Sequence, residues 1–482
     1  MAVRANIRFM RNGQVVELSD VDPNETVLDY LRLRDRSIGT KEGCCEGDCG
    51  ACTVAIGQVQ DGKVQYQPVN SCIQLLGSLD GKELVTVDDL AASDGTLHPV
   101  QSALVKHHGS QCGFCTPGFV MSLFVLYQND GIPDRAELNK ALAGNLCRCT
   151  GYRPIVDAAL EVCSHQPEPH RTSDAFSLLS SHDDVFIGDE NRFFASPVSE
   201  QTLARLRNGH PDAVLVAGAT DVSLWITKQL RDLPKIIYMG RISELQQIEQ
   251  SDEAVQIGSG VTYANAYDAL SSISSDMAET IRRIGAEQVR AVGTIGGNIA
   301  NGSPIGDMPP MLIALDARIE LKNDKASRNL MLADFFIDYG KQDIKPDEYL
   351  ASVKVPRLAD NQHLRCYKIS KRFDQDISSV MAAFRFTITD GAVSETRVAF
   401  GGMAATPKRA TNTEAALDGL RLDDAGGWTK AVRQLAKDFT PLSDMRASAD
   451  YRLTTAMALL EKARLELSGQ PQTRLYGDSH VA

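Results

Sequence analysis

Cys44, Cys49 and Cys52 stand in a C-x4-C-x2-C arrangement within Gly43-Cys-Cys-Glu-Gly-Asp-Cys-Gly-Ala-Cys-Thr53, and Cys72 offers a distant fourth thiolate. This is the plant-type [2Fe-2S] spacing. An inorganic core of that kind needs backbone curled closely around it with N–H groups turned toward sulfur, and Gly43, Gly47 and Gly50 remove the side chains that would obstruct such a loop. The competing chemistry is a four-cysteine structural zinc site, which normally shows paired C-x2-C knuckles and no glycine-lined x4 loop. Cys45 competes with Cys44, but choosing it would shorten the first gap to three residues.

A second set comprises Cys112 and Cys115 in Gln111-Cys-Gly-Phe-Cys-Thr-Pro117, with Cys147 and Cys149 in Asn145-Leu-Cys-Arg-Cys-Thr-Gly151. Taken alone, C-x2-C with C-x-C suits zinc as well as iron and sulfur. Beside a plant-type loop a second cluster is the better reading, because electrons can hop between neighbouring centres whereas zinc is redox-inert. Of the eleven cysteines, Cys45, Cys163 and Cys366 are left with packing roles.

Two glycine-bearing stretches follow, Val214-Leu-Val-Ala-Gly-Ala-Thr-Asp-Val222 and Val292-Gly-Thr-Ile-Gly-Gly-Asn-Ile-Ala300. A buried strand ending in Gly218 and small polar residues lets backbone N–H groups approach a diphosphate, and Gly296-Gly297 offers a second close-approach turn. Either could be an ordinary strand-to-loop turn; together, behind two iron-sulfur sites, they favour a flavin. No Rossmann fingerprint is present, since Val-Thr-Tyr follows Gly258-Ser-Gly260 where a third glycine is required. Any NAD must therefore dock transiently against the flavin.

These residues need several cores to hold them, and 482 residues suffice for three or four domains. Ten cysteines precede residue 164, so the N-terminal third has its own chemistry. Its first part, 1–88, reads as a small β-grasp unit. Ile7 and Phe9, the turn dipeptide Asn12-Gly13, then Val15, Val16 and Leu18 predict a hairpin. A short helix is expected near Thr26 to Arg34, followed by strands at Cys52 to Ile56, Val64 to Val69 and Leu84 to Val87.

Residues 89–163 predict a small helical bundle. Pro117 opens a run from Phe119 to Tyr127, Asp134 and Glu137 have capping-box spacing before Leu138, and Pro154 opens a helix through Val162. A polar, proline-bearing stretch at 164–189 predicts a solvated linker. Beyond it, 190–365 mixes strands such as Ala213 to Ala217 and Val255 to Ile257 with helices, as an α+β domain does. A last strand-and-helix unit occupies 366–470 and a tail 471–482.

The formal net charge of -12 argues against a nucleic-acid partner. No apolar run approaches the roughly 20 residues of a membrane span, and the N-terminus lacks the apolar core of a secretory signal, so the expected location is the cytoplasm.

The order Cys44 through Cys149, with His98-Pro-Val-Gln101, Gln111-Cys-Gly-Phe-Cys-Thr-Pro-Gly118 and Gly144-Asn-Leu-Cys-Arg-Cys-Thr-Gly-Tyr-Arg-Pro154, resembles the iron-sulfur region of the xanthine dehydrogenase family of molybdenum hydroxylases. The resemblance implies a β-grasp plant-type ferredoxin domain and a small helical-bundle [2Fe-2S] domain. It further implies an α+β FAD-binding domain and a C-terminal flavoprotein α+β domain, the small subunit of bacterial two-subunit members. It places flavin contacts at Leu215, Val216, Ala217, Gly218, Ala219, Thr220, Asp221 and Val222. Further contacts fall at Thr294, Ile295, Gly296, Gly297, Asn298, Asp307, Leu350 and Lys368. Ile284 stands where relatives often carry an aromatic near the flavin ring. Lys371-Arg-Phe-Asp-Gln-Asp376 matches a charged segment that in animal relatives influences access to the flavin.

By the same resemblance Gln111 and Cys149 lie near molybdopterin held by a separate large subunit, in a heterotetramer of two small and two large subunits. The expected path runs from xanthine or hypoxanthine at molybdenum through both clusters to FAD and NAD, with no catalytic acid or base on this chain. The alternatives are the same role for an aldehyde, nicotinate or another aromatic heterocycle, and a zinc-stabilised interaction scaffold.

Overall fold

The computed structural model describes residues 2–129, 133–165, 167, 169–179 and 181–471; of the 471–482 tail, all but Pro471 lies outside the described residues. Contacts divide the chain into two compact units. The first contains residues 1–246, 262–265 and 285–297, and the second 247–261, 266–284 and 298–482. Among the described residues no helix is long and apolar enough to cross a membrane.

The first unit opens with the expected hairpin. Strands Ile7–Arg11 and Gln14–Leu18 pair antiparallel across Asn12-Gly13, whose φ values of 50° and 72° give the left-handed turn that matches strand twist. Glu83–Val85 joins Ile7–Arg11 in parallel and Thr53–Gln60 antiparallel, and Lys63–Asn70 closes the five-stranded sheet. Ile7, Phe9, Val54, Leu76 and Leu84 form its core.

The Thr26 to Arg34 helix differs from expectation. After Val27–Asp29, capped by reciprocal Thr26 and Asp29 bonds, the chain widens into a π-helix over Tyr30–Arg34, where Asp35 N–H reaches the Tyr30 carbonyl. Residue pattern does not register that one-residue change of partner.

Four helices, Pro99–Lys106, Thr116–Asn129, Arg135–Leu142 and Arg153–Val162, pack around Phe119, Phe124, Leu138 and Ile155. Asp134 and Glu137 form the anticipated capping box at 2.8 Å in each direction. His98-Pro-Val-Gln101 proves to be a cap as well: His98 Nδ1 accepts from Val100 N–H and Gln101 Oε1 from His98 N–H.

A second five-stranded sheet runs Val3–Arg4, Asp184–Gly188, Phe193–Ser196, Lys235–Tyr238, Val214–Val216. Val3–Arg4 belongs to this sheet and not to that of Ile7–Arg11, because it pairs in parallel with Asp184–Gly188.

The 164–189 segment is not a solvated linker where it is described. Arg171 Nε donates at 2.9 Å to Glu83, a fully buried carboxylate that also accepts from Tyr66. Phe176 and Leu179, on the 3-10 helix Ser173–Leu179, bury against Met10. His170 stands edge-on to Tyr66 and Phe124, with centroids 5.9 and 5.1 Å away. Composition predicted solvation, but one buried ion pair and three ring or aliphatic anchors outweigh it.

A pH effect follows. Burial, helped by the charges of Arg171 and His98, lowers the His170 pKa from 6.5 to about 4. Between those values the unfolded chain binds the extra proton and the folded chain does not, so stability falls as pH drops from 6.5 toward 4. Urea unfolding of the wild type and His170→Phe at pH 7 and 5 should show the variant escaping about 1–2 kcal/mol of that loss. Equal losses in both proteins would rule His170 out as the source.

The second unit holds an antiparallel sheet ordered Ile248–Gln250, Ala254–Gly258, Tyr349–Pro356, Arg318–Lys322, Ser327–Met331. It also holds a four-stranded antiparallel sheet, Gln362–Ile369, Val380–Thr389, Ala392–Gly401 and Lys408–Arg409. Helices Thr411–Leu417, Ala425–Val432 and Ala449–Leu467 share a core with this sheet at Phe384, Phe400, Trp428 and Leu460.

Candidate functional site

Two of the four thiols in the first set meet in the interior, where Cys52 and Cys72 Sγ lie 3.2 Å apart. The other two exchange backbone bonds. Cys44 N–H points at Cys49 Sγ at 3.4 Å, while Cys49 and Asp48 N–H point at Cys44 Sγ at 3.3 and 3.4 Å. Donation from the Cys49 thiol, opposed by burial and aided by those N–H groups, draws the Cys44 thiol down to about 5. The turn that aims these N–H groups inward uses Gly47 and Gly50 at φ 77° and 70°. A Cβ on Gly43 would sit 2.8 Å from Cys49 Sγ. Cys45, at φ 55°, turns its sulfur toward Cys72.

The second set also falls into pairs. Cys112 and Cys149 Sγ are 3.3 Å apart and exposed, and Cys115 lies beside Cys147. Burial pushes the Cys115 thiol up to about 12. Cys147 Sγ contacts Thr150 Oγ1 at 3.1 Å, and its N–H donates to the Tyr152 hydroxyl. Among the described residues no three metal-ligating side chains surround one point. A zinc ion draws four ligands onto a single centre, whereas a binuclear cluster gives each iron its own two thiolates. Thiols standing two and two in both sets match the second geometry.

The two cysteine loops touch directly. Leu146 N–H, next to Cys147, donates at 3.0 Å to the Cys49 carbonyl. Gly50 is there because a Cβ would fall 2.1 Å from the Gly144 carbonyl oxygen. Asn145 Nδ2 donates to the Gly50 carbonyl, and fully buried Gln288 reaches Thr53, Ser122 and Asn145 at 3.2 to 3.3 Å. Sequence reading missed this polar knot. Asn145 sat inside a motif already singled out, but nothing around Gln288 marks it.

The first unit also carries Leu215 to Val222 and Thr294 to Gly297. Strand Val214–Val216 leads into a turn where Ala219 adopts φ 61° and helix Val222–Thr227 begins. A Cβ on Gly218 would lie 2.0 Å from the Val292 carbonyl oxygen, so the two glycine stretches meet backbone to backbone. Thr294 Oγ1 accepts from Gly297 N–H at 2.9 Å and fixes the second turn. Such a cradle, built of small residues, suits a diphosphate-bearing group.

The second unit holds Ile284, Asn298, Asp307, Leu350 and Lys368. Lys368 Nζ is 2.5 Å from Asp307 Oδ2 and 3.0 Å from Ser378 Oγ, which itself donates to Asp307 Oδ1 at 2.6 Å. Sequence reading named the first two and missed Ser378. Asn298 Oδ1 is buried without a hydrogen-bond partner among the described residues, the state expected of a group that serves a ligand. Leu350 pairs with Leu321 at a β-bulge, a device that re-aims a side chain. Ile284 follows helix Ser275–Arg282, and its neighbour Arg283 donates at 3.1 Å to the Lys368 carbonyl. The 371–376 loop is pinned by cations that the sequence did not flag: Arg283 lies 4.3 Å from the Phe373 ring centroid, and Arg282 pairs with Asp374 at 3.3 Å.

Lys368→Met should cost about 3–5 kcal/mol, because it strands a buried carboxylate without its cation. Denaturant unfolding checks this. A loss under 1 kcal/mol, roughly that of an exposed pair, would show that Asp307 finds other compensation.

Comparison with known proteins gives four domain matches. Residues 9–75 match a 2Fe-2S iron-sulfur cluster binding domain and 86–160 a [2Fe-2S] binding domain. Residues 190–358 match the FAD binding domain in molybdopterin dehydrogenase, and 365–467 the CO dehydrogenase flavoprotein C-terminal domain. Xanthine dehydrogenase of Drosophila subobscura is 32% identical over 530 residues, covering 96% of this chain and 39% of that protein. Aldehyde oxidase 1 of Bos taurus is 29% identical, covering 84% and 35%. The chain therefore spans well under half the length of these relatives. Among solved structures, reconstituted CO dehydrogenase from Oligotropha carboxidovorans superposes with a TM-score of 0.53 at 26% identity, covering 57% of this chain and 96% of that one.

Proposed function

Because this chain is an iron-sulfur and FAD-binding member of the molybdenum hydroxylase family, we propose that it is the electron-transfer subunit of an NAD-dependent xanthine dehydrogenase. In this reading it relays electrons released from hypoxanthine or xanthine at molybdenum in a partner subunit. The observation that carries it is the pairing of thiols in two loops joined by the bond from Leu146 to Cys49.

Cys44, Cys49, Cys52 and Cys72 hold one [2Fe-2S] cluster, and Cys112, Cys115, Cys147 and Cys149 the other. Leu215 to Val222, Thr294 to Asn298, Asp307, Leu350, Lys368 and Ile284 contact FAD. Bound FAD supplies the conversion of single-electron arrivals into a two-electron departure to NAD. The protein's part is positional. N–H groups of Asp48 and Cys49 orient the Cys44 sulfur and stabilise its negative charge. Asn145 and Gln288 fix the spacing of the loops, and the Lys368 and Asp307 pair ties the C-terminal domain to the FAD-binding one.

The side with Gln111, Cys112 and Cys149 is exposed, and Phe114 keeps 49% of its surface accessible beside them. A large molybdopterin subunit docks there, in a heterotetramer of two small and two large subunits. The likeness to aldehyde oxidase 1 and CO dehydrogenase supports a second reading, in which the same relay serves an aldehyde or heterocycle hydroxylase.

Anaerobic titration of the purified chain with NADH tests the proposal by reversing electron flow without the molybdenum subunit. A coloured protein that bleaches supports clusters, FAD and NAD together. Colour that NADH leaves unchanged points to another acceptor and the second reading, while a colourless protein with bound zinc overturns both.

A further inference from the structure

The six-residue helix Val222–Thr227 starts directly after the Gly218 turn and ends at Lys228, whose N–H caps it on the Leu224 carbonyl. The Lys228 ammonium leaves the helix end and donates to the backbone carbonyl of Cys44. Glu46, two residues on in the same cysteine loop, places a carboxylate oxygen 3.8 Å from that ammonium. Lys228 and Glu46 side chains are 40% and 45% exposed, so neither charge is fully screened by water. One short rigid element therefore carries the proposed flavin turn at its start and a charge on the proposed cluster loop at its end.

We propose that Lys228 is a positioning residue that sets the reduction potential of the centre held by Cys44, Cys49, Cys52 and Cys72, raising it relative to the flavin. The inference rests on the assignment of those thiols as cluster ligands. Reduction adds one negative charge to such a centre, and a fixed ammonium on the ligand's own carbonyl favours that form; Glu46 opposes it. Removing Lys228 withdraws the cation and leaves Glu46 uncompensated, so both changes act in one direction. A half-exposed charge at this range should alter the reduced-to-oxidised ratio by roughly three- to tenfold.

The test is an EPR-monitored redox titration of the full chain with its cofactors, following the signal that Cys52→Ser abolishes. At the wild-type midpoint, Lys228→Met should lower the reduced-to-oxidised ratio about three- to tenfold, Glu46→Gln should raise it, and Lys228→Arg should restore it with unchanged line shape. A lysine that merely pins the loop would alter the line shape in Lys228→Met without moving the midpoint opposite to Glu46→Gln. If Lys228→Met loses the signal, a lowered ratio in Lys228→Gln, opposite to the shift in Glu46→Gln, decides the matter. The inference is overturned if neither variant moves the midpoint or both move it the same way. A wild-type protein without any such signal would instead remove the cluster assignment beneath it.

Discussion

Under the proposed relay, the Cys147→Ser variant should still be bleached by NADH while electron delivery from the molybdenum side falls by about a hundredfold or more. A residue that only supports a ligand is worth roughly 10–100-fold, and Cys147 is proposed as a ligand itself. A serine hydroxyl is a harder donor and far harder to deprotonate than a thiol, so it cannot replace sulfur in such a centre. The proposed flavin contacts lie elsewhere in the chain and keep their own geometry. The measurement is substrate-driven NAD reduction by the assembled enzyme, set against NADH bleaching of the isolated chain. Xanthine turnover that survives the change would show the route to be wrong. Loss of both activities would mean that the helical domain supports the flavin fold and is not only a conduit.

The second large effect belongs to Gly218→Ala. A methyl group there would stand 2.0 Å from the Val292 carbonyl oxygen and 2.8 Å from Gly293 Cα, both backbone atoms that cannot swing aside. The two glycine stretches must then part, and the turn carrying Ala219 at φ 61° shifts with them. FAD per chain should fall by about tenfold, a step of about 1.4 kcal/mol that lies within the roughly 1–3 kcal/mol overpacking typically costs, with iron and labile sulfide unchanged. Gly209→Ala is the control, because a Cβ there meets nothing within 4 Å. Full FAD content in Gly218→Ala would remove this turn from the flavin site. Parallel loss of FAD and iron would indicate general misfolding.

The cysteine spacing was readable from the chain because ligand sets are local. Within C-x4-C-x2-C the covalent chain itself brings thiols together, and Gly47 and Gly50 announce the left-handed turns needed. The hairpin at Asn12-Gly13 and the capping box at Asp134 were legible for the same reason. Errors began where a partner is remote in sequence. The polar 164–189 segment gave no sign of Glu83, the carboxylate that anchors Arg171, or of Met10, against which Phe176 packs. No local pattern pointed from Val3–Arg4 to its partner Asp184–Gly188, which lies far along the chain. His98 looked like part of a cofactor signature and serves as a helix cap.

The sequence by itself determined which atoms can hold the cofactors, since thiols at fixed spacing and glycines at tight turns are properties of short segments. Only the tertiary structure decided how those segments are coupled. Gln288 against Thr53 and Asn145, Ser378 against Lys368 and Asp307, and Lys228 against Cys44 each join residues far apart in the chain. A polar side chain is satisfied by whatever the fold brings within hydrogen-bond reach, and that partner is selected by packing rather than by any local pattern.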